Sequence, residues 1–280
     1  MAWLYLALNG LILAAAALLG WRARRLRIWQ FCLCIAGGIF VISVRNFLQA
    51  HPEYEQYLLR LSHDYLYFCS WDAPVALFLI FGMLARLQNR RLRRLAVTSF
   101  IALGPLFLWN NLSACLEPAY AMPAQFDRDG ICRQATDYSC GPAAAVTILK
   151  LTGREISEGE MARLCLLRRG AGVTALELCR GLNVALESTD RQAAIRRVGP
   201  YGLDGIRTPF LAELKPLRSV EHCVVVLAVR QTEVVVGDPA RGRITRTRDE
   251  FLREWTGLAI TVSPARERHA DAGTYDITSR

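Results

Sequence analysis

Gln134-Ala-Thr-Asp-Tyr-Ser-Cys140-Gly-Pro-Ala-Ala-Ala-Val-Thr-Ile-Leu149 is a polar loop that turns into an apolar run at a single thiol. Proline two residues after Cys140 suits the first turn of a helix, where its missing N–H costs nothing. The small and branched apolar residues behind it predict a buried helix over 140–152, closed by Gly153. A thiol at such a helix start feels the positive end of the helix dipole, which favours the thiolate. That is the setting a cysteine nucleophile needs, and the rest of the chain can be searched for its partners.

Downstream, Ser157 with Glu160 three residues later forms a capping-box pattern that opens a second helix reaching residue 167. Gly170-Ala-Gly-Val reads as a loop, and Thr174 starts a third helix to residue 180. The texture then becomes sheet-like, with strands expected at 208–214, 223–229, 233–237 and, more weakly, 244–247. A short helix over 249–255 and a last strand at 258–262 complete the series. Helices followed by an antiparallel sheet indicate an α+β domain over residues 116–264, with a polar, disordered tail at 265–280.

Upstream the chain is a different material. Of its 280 residues 52% are hydrophobic, and uncharged or nearly uncharged apolar runs occur at 2–19, 28–44, 65–84 and 95–112. The formal charge of +9 first suggests nucleic acid, but its location argues for a bilayer. Arg22, Arg24, Arg25 and Arg27 follow the first run, and Arg86, Arg90, Arg91, Arg93 and Arg94 follow the third. Arginine clusters between apolar runs obey the positive-inside rule. A membrane domain of about four helices is expected over 1–115, with the 45–64 loop and everything after the fourth helix outside. A cleaved signal peptide would carry its charge before the apolar stretch, so an uncleaved helix is expected. Within the third run Asp72 reads as an interfacial carboxylate, with an intramembrane functional role as the other possibility.

A thiolate that transfers acyl groups needs a base, an orienting group for that base, and a donor for the oxyanion. The part of the chain after residue 116 holds two histidines, and His269 lies in the polar tail. His222 opens the strand His222-Cys-Val-Val-Val, and Asp238 ends the next one, Val234-Val-Val-Gly-Asp238-Pro239. A short turn at Gln231 and Thr232 makes the two strands a hairpin, so the start of one lies beside the end of the other. Gln134 can donate its amide towards the same oxygen as the Cys140 backbone N–H. Cys223, next to His222, is expected to face the opposite way into the core. Cys165 and Cys179 read as core residues that an oxidising compartment would allow to pair, as would Cys115 and Cys132. Cysteine and histidine spacing fits no zinc site, and no Walker-type phosphate loop or dinucleotide fingerprint occurs, so neither metal, cofactor nor ATPase is expected.

The segments 134–149, 221–229 and 234–242, with the closing Phe251-Leu-Arg-Glu-Trp255-Thr-Gly-Leu, resemble cysteine-peptidase family thirty-nine, over roughly residues 132–262. The resemblance implies a papain-like peptidase that matures bacteriocins and similar peptides by cutting after a double glycine. It assigns Cys140 as nucleophile, His222 as base and then acid, Asp238 as orienter and Gln134 to the oxyanion hole. Ser139 departs from the pattern, since the family often has an acid there. Familiar members are joined to cytoplasmic ATP-driven exporters, whereas this domain is expected on the outer face of the bacterial cell membrane. The expected partners are a peptide or protein substrate, the lipid bilayer and a separate export system, with no nucleic acid. Three other readings stay open from sequence: a non-catalytic peptide-binding relative, a transamidase or deamidase using the same triad, and a membrane protein whose function lies in the helices, with the outer domain as regulator, favoured by Asp72 alone.

Overall fold

The computed structural model describes residues 2–61, 72–87, 89–91, 93–94, 97–98, 122–168, 170–215 and 221–264. The chain divides into two compact units, Met1–Glu117 and Pro118–Arg280.

In the first unit, helices α1 (Ala2–Arg22), α2 (Ile28–Ala50), α3 (Pro52–Leu61) and α4 (Asp72–Arg86) follow one another, with a 3₁₀ turn at Ala23–Arg25. The expected outer loop at 45–64 is instead helical as far as Leu61. Two causes are visible. Arg45, which reads in sequence as the end of an apolar run, is buried and bridges Glu55 of α3, so its charge does not stop α2. The break comes at His51, whose non-helical backbone precedes a proline that is pre-set for the first position of α3.

Helix α4 packs against α1 and α2 at glycines. A Cβ on Gly20 would lie 2.2 Å from the carbonyl oxygen of Phe78, and one on Gly82 would lie 2.6 Å from the ring of Phe31. Such close backbone approach is the packing mode of helices that have no hydrophobic effect between them. Arg86 donates to the carbonyls of Ala23 at 2.9 Å and Leu26 at 3.2 Å, and its guanidinium lies 4.1 Å from the centre of the Phe31 ring. One member of the second arginine cluster thus satisfies carbonyls at the first. Among the described residues one helix, Ile28–Ala50, is long and apolar enough to cross a bilayer. The expected run at 95–112, apart from residues 97–98, and the first part of the one at 65–84 fall outside the described residues, as do Cys115, His269 and the tail.

The second unit is an α+β domain. Helices α5 (Cys140–Leu151), α6 (Glu158–Leu164) and α7 (Ala175–Leu186) precede a sheet of β3 (Arg191–Arg197), β4 (Phe210–Leu214), β5 (His222–Val229), β6 (Glu233–Asp238), β7 (Gly242–Thr247) and β8 (Trp255–Pro264). Helix α8 (Arg248–Glu254) joins the last two, and a small ladder pairs β1 (Gln125–Phe126) with β2 (Cys132–Arg133). The sheet order is β3-β8-β4-β5-β6-β7, with every pairing antiparallel. Strand β3, which has no counterpart in the sequence expectations, is an edge strand held by β8.

Alternation sorts the sheet into two faces. Phe210, Ala212, Leu214, Val224, Val226 and Val236 join Phe251 and Trp255 in one core. The other face meets α5, whose residues Gly141 to Leu149 are all buried. On another side α5 is approached closely by the loop before α7: a Cβ on Gly141 would lie 2.5 Å from Val173. Helix α5 is therefore central, and its first residue is brought to the end of β5.

Candidate active site

Cys140 begins α5, and the loop before it is tied down by an acid that sequence reasoning passed over. Glu158, at the first position of α6, has 0% exposure. Its carboxylate accepts the Ala135 N–H at 3.0 and 3.2 Å through its two oxygens. Burial raises the Glu158 pKa, and the Ala135 N–H and the Ser139 hydroxyl work against that rise. Within the loop, Thr136 N–H donates to Ser139 Oγ at 3.0 Å, and that hydroxyl donates to Thr136 O at 3.1 Å. Ser139 replaces an acid of the family pattern, yet an acid stands beside it in space. The sequence signal was present but ambiguous, since an acidic residue in a first helical turn reads as a dipole partner.

His222 and Asp238 are brought together by register. Val225 opposes Gly237 and Val226 opposes Val236, so Val224 falls opposite Asp238 and His222 becomes its diagonal neighbour on the same face. His222 Nε2 lies 2.8 Å from Asp238 Oδ1. The same Oδ1 accepts the Ala240 N–H at 2.8 Å, which fixes the carboxylate across the turn at Pro239. With Nε2 engaged, Nδ1 is the nitrogen left for the sulfur, and Cys140 and His222 share a side-chain hydrogen bond.

The charges follow. Burial raises the Cys140 pKa, but the His222 hydrogen bond, the Cys223 N–H, the His222 charge and the Gly141 N–H together outweigh it, and the net shift is downward. Burial opposes a charged imidazole, but the hydrogen bonds and charges of Asp238 and Cys140 prevail and raise His222 to about 9. Burial raises Asp238 as well, and its hydrogen bond and attraction to His222 turn that into a net lowering. Each group stabilises the ionised form of the next, which favours thiolate at Cys140, imidazolium at His222 and carboxylate at Asp238.

Gln134 stands at the same corner, its N–H donating to Pro239 O at 3.1 Å. Its side-chain Nε2 donates to Thr136 O at 2.8 Å. An amide nitrogen carries two hydrogens, so one remains for a further acceptor. Cys140, His222 and Asp238 thus form one hydrogen-bonded line, with Gln134 beside it but not in that line.

A cleft opens next to Cys140. Its helical wall includes Val173 and Leu178, and its sheet wall includes Leu211, Glu213, Cys223 and Ile260. Cys223 does point away from the His222 side of the strand. It lies on the side of the sheet that packs against α5, where burial raises its thiol well above the ordinary value, and it also lines the cleft. Cys132, Cys165 and Cys179 are free thiols. The described residues include no cluster of histidine, cysteine or acid that fits a metal ion.

Comparison with known proteins then yields three kinds of match. The model of the peptidase C39 family matches residues 128–267. The probable functional amyloid protease FapD of Pseudomonas fluorescens is 31% identical over 136 residues, covering 46% of this chain and 58% of that protein. The lactococcin-G-processing and transport ATP-binding protein LagD of Lactococcus lactis is 29% identical over 136 residues, covering 48% of this chain and 19% of that one. The crystal structure of a double glycine motif protease from an AMS/PCAT transporter, solved in complex with the leader peptide, aligns with a TM-score of 0.42 at 22% identity, over 52% of this chain and 97% of that chain. The chain therefore spans 58% and 19% of the lengths of these two relatives.

Proposed function

The chain belongs to the peptidase C39 family, and on that footing we propose that it is a membrane-anchored cysteine endopeptidase acting on exported, leader-bearing peptides through Cys140, His222 and Asp238. The observation that carries the reading is the unbroken line from the Cys140 sulfur through the imidazole to the Asp238 carboxylate, 2.8 Å at its second link. In the reaction the thiolate attacks the scissile carbonyl carbon, and the oxyanion is met by the Cys140 N–H and the free amide hydrogen of Gln134. The C–N bond breaks as His222 gives its proton to the departing amine, leaving a thioester. Water then attacks, His222 accepts its proton, and the acid product leaves with the thiolate restored. Asp238 holds the ring in the orientation that both proton transfers require. Oxygen-stabilising donors and a fixed imidazole need no metal, so the residues present are sufficient for the chemistry.

The same proposal places the substrate bond after a double glycine and the peptidase unit on the outer side of the membrane, beneath four spanning helices over 1–115. It also assigns residues 116–264 to the peptidase domain, 265–280 to a disordered tail, and a separate export system as partner. Support for the anchor comes from α2, long and apolar enough to span, and from arginine clusters on the loops that the positive-inside rule keeps in the cytoplasm. Relatives named for lactococcin-G processing and transport and as a probable functional amyloid protease support the substrate class. The test is incubation of the full-length protein, in detergent or nanodiscs, with a precursor peptide in which a leader ending in Gly-Gly is followed by a further segment. The expected result is one cut after the second glycine, absent with Cys140→Ala. Cutting that survives Cys140→Ala sinks the assignment. A reporter fused after residue 264 reads the topology, and activity confined to the cytoplasm contradicts the outer placement.

A further inference from the structure

The wall of the cleft beside Cys140 carries a feature that acyl transfer does not use. Leu211 and Glu213 alternate onto the helix-facing side of β4, and register sets Glu213 opposite Cys223 and Leu211 opposite Ile260. With Val173 and Leu178 from the helical side, the cleft is an apolar slot with one half-buried carboxylate in its wall. Thr256 Oγ1 donates to Glu213 Oε2 at 2.9 Å, which fixes one carboxylate oxygen and leaves the other its acceptor capacity. Glu221, the second acid of the cleft, is exposed and already paired with Lys215 Nζ at 3.2 Å. Arg197 and Lys215 are close enough to act on the Glu213 charge, but neither they nor any other lysine or arginine is among the residues that line the cleft.

Resting on the peptidase reading, we infer that Glu213 makes this cleft a subsite for a substrate side chain with an apolar stem and a cationic end, lysine or arginine. The stem lies along Val173, Leu178, Leu211 and Ile260, in the way that long basic side chains cover apolar surface while keeping their charged ends paired. The ammonium or guanidinium meets Glu213 in a setting drier than bulk water, where a charge-assisted hydrogen bond is strongest. Burial raises the Glu213 pKa, and a bound cation works against that rise by favouring the ionised form. A double glycine at the scissile bond offers no side chain, so the basic residue belongs to a neighbouring position of the peptide.

The inference is tested by digesting a random-sequence peptide library with the full-length protein and reading the products by mass spectrometry. At one position within a few residues of the cut, lysine and arginine are expected over methionine and glutamine by about tenfold or more, the scale of one charge-assisted contact. In Glu213→Gln the ratio of kcat/KM for a lysine peptide over its methionine counterpart falls to about one. In Glu213→Lys the preference at that position passes to glutamate; should that variant fail to fold, the near-isosteric glutamine variant decides alone. Cutting that depends on Cys140 but shows no basic preference, or a preference that survives Glu213→Gln, overturns the subsite and leaves the peptidase reading intact. Cutting of no peptide, or only cutting that survives Cys140→Ala, overturns the peptidase reading and the subsite with it.

Discussion

Two thiols flank the loop that carries Gln134, and their surroundings push them in opposite directions. Cys132, on β2, has no exposed surface, and burial followed by the nearby Glu158 charge drives its pKa up to about 12. Cys140, at the head of α5, is also shielded from water, yet its pKa is lowered because His222 and the N–H groups of Cys223 and Gly141 meet the sulfur. Cys165 repeats the Cys132 case, with burial raising it well above an ordinary thiol. Desolvation alone makes an inert core cysteine. Cys132 also has a backbone contact at Gln125 and the Lys150 charge working to lower its pKa, but they do not outweigh burial, whereas the groups around Cys140 do.

Removing those groups should have the largest effects. Cys140→Ser and His222→Ala are expected to lower kcat/KM by about four orders of magnitude, because members of such a unit fail together. Circular dichroism should show both variants folded, and Cys132→Ala should retain turnover within a few-fold. Gln134→Ala should cost about a hundredfold, the usual loss for one oxyanion donor, read in kcat rather than KM. An unchanged kcat would show that the remaining amide hydrogen of Gln134 does not reach the oxyanion.

Asp238→Asn should cost roughly ten- to a hundredfold and should move the alkaline limb of activity. In the natural protein kcat/KM should be bell-shaped in pH. The acid limb, where the thiolate is protonated, lies below the range of an ordinary thiol, and the alkaline limb lies near 9, where the imidazolium is lost. Without the Asp238 charge the His222 pKa falls, so the alkaline limb moves down; a limb that stays in place would remove Asp238 from its role. Stability follows the same sign. The His222 pKa is raised from 6.5, so its contribution is complete below that value and is lost as pH rises through about 9. Asp238 is lowered from 3.8, so its contribution is present above that value and fades as pH falls through the folded-state pKa. The smallest change is expected for Glu158→Gln, a several-fold loss in kcat from a loosened Gln134 loop. Its carboxylate accepts the Ala135 N–H and lies beside Ser139, in the loop that leads to Cys140.

The comparison also explains what the sequence could and could not reveal. Helix α5 and the hairpin of β5 and β6 were legible because their patterns are local: proline in a first turn, unbroken valines, and an Asp-Pro stop. The pairing of His222 with Asp238 followed from hairpin geometry. Strand β3 was not legible, because Arg191 to Arg197 includes two alanines and no alternation, and only pairing with β8 makes it a strand. The helix expected to reach residue 180 continues through Gly181 to Leu186. At Gly181 a Cβ would lie 2.4 Å from Cys165 Sγ, so the glycine serves close packing rather than termination. Arg45 misled in the same way, since its partner Glu55 lies across a helix break. Glu158 and Glu213 were passed over for one reason: a carboxylate's role is set by what surrounds it in space, and a single chain of letters does not carry that.

The account stands on the sulfur of Cys140 being an anion held by His222, and alkylation measures this directly. Full-length protein is treated with iodoacetamide across pH 4 to 10, and modification of each cysteine is quantified by mass spectrometry. Cys140 should react at pH values well below those at which a free thiol reacts, Cys132 and Cys165 should stay unmodified, and His222→Ala should return Cys140 to ordinary thiol behaviour. A Cys140 that titrates like a free thiol in the natural protein, or whose profile is indifferent to His222→Ala, would contradict the proposed catalytic unit.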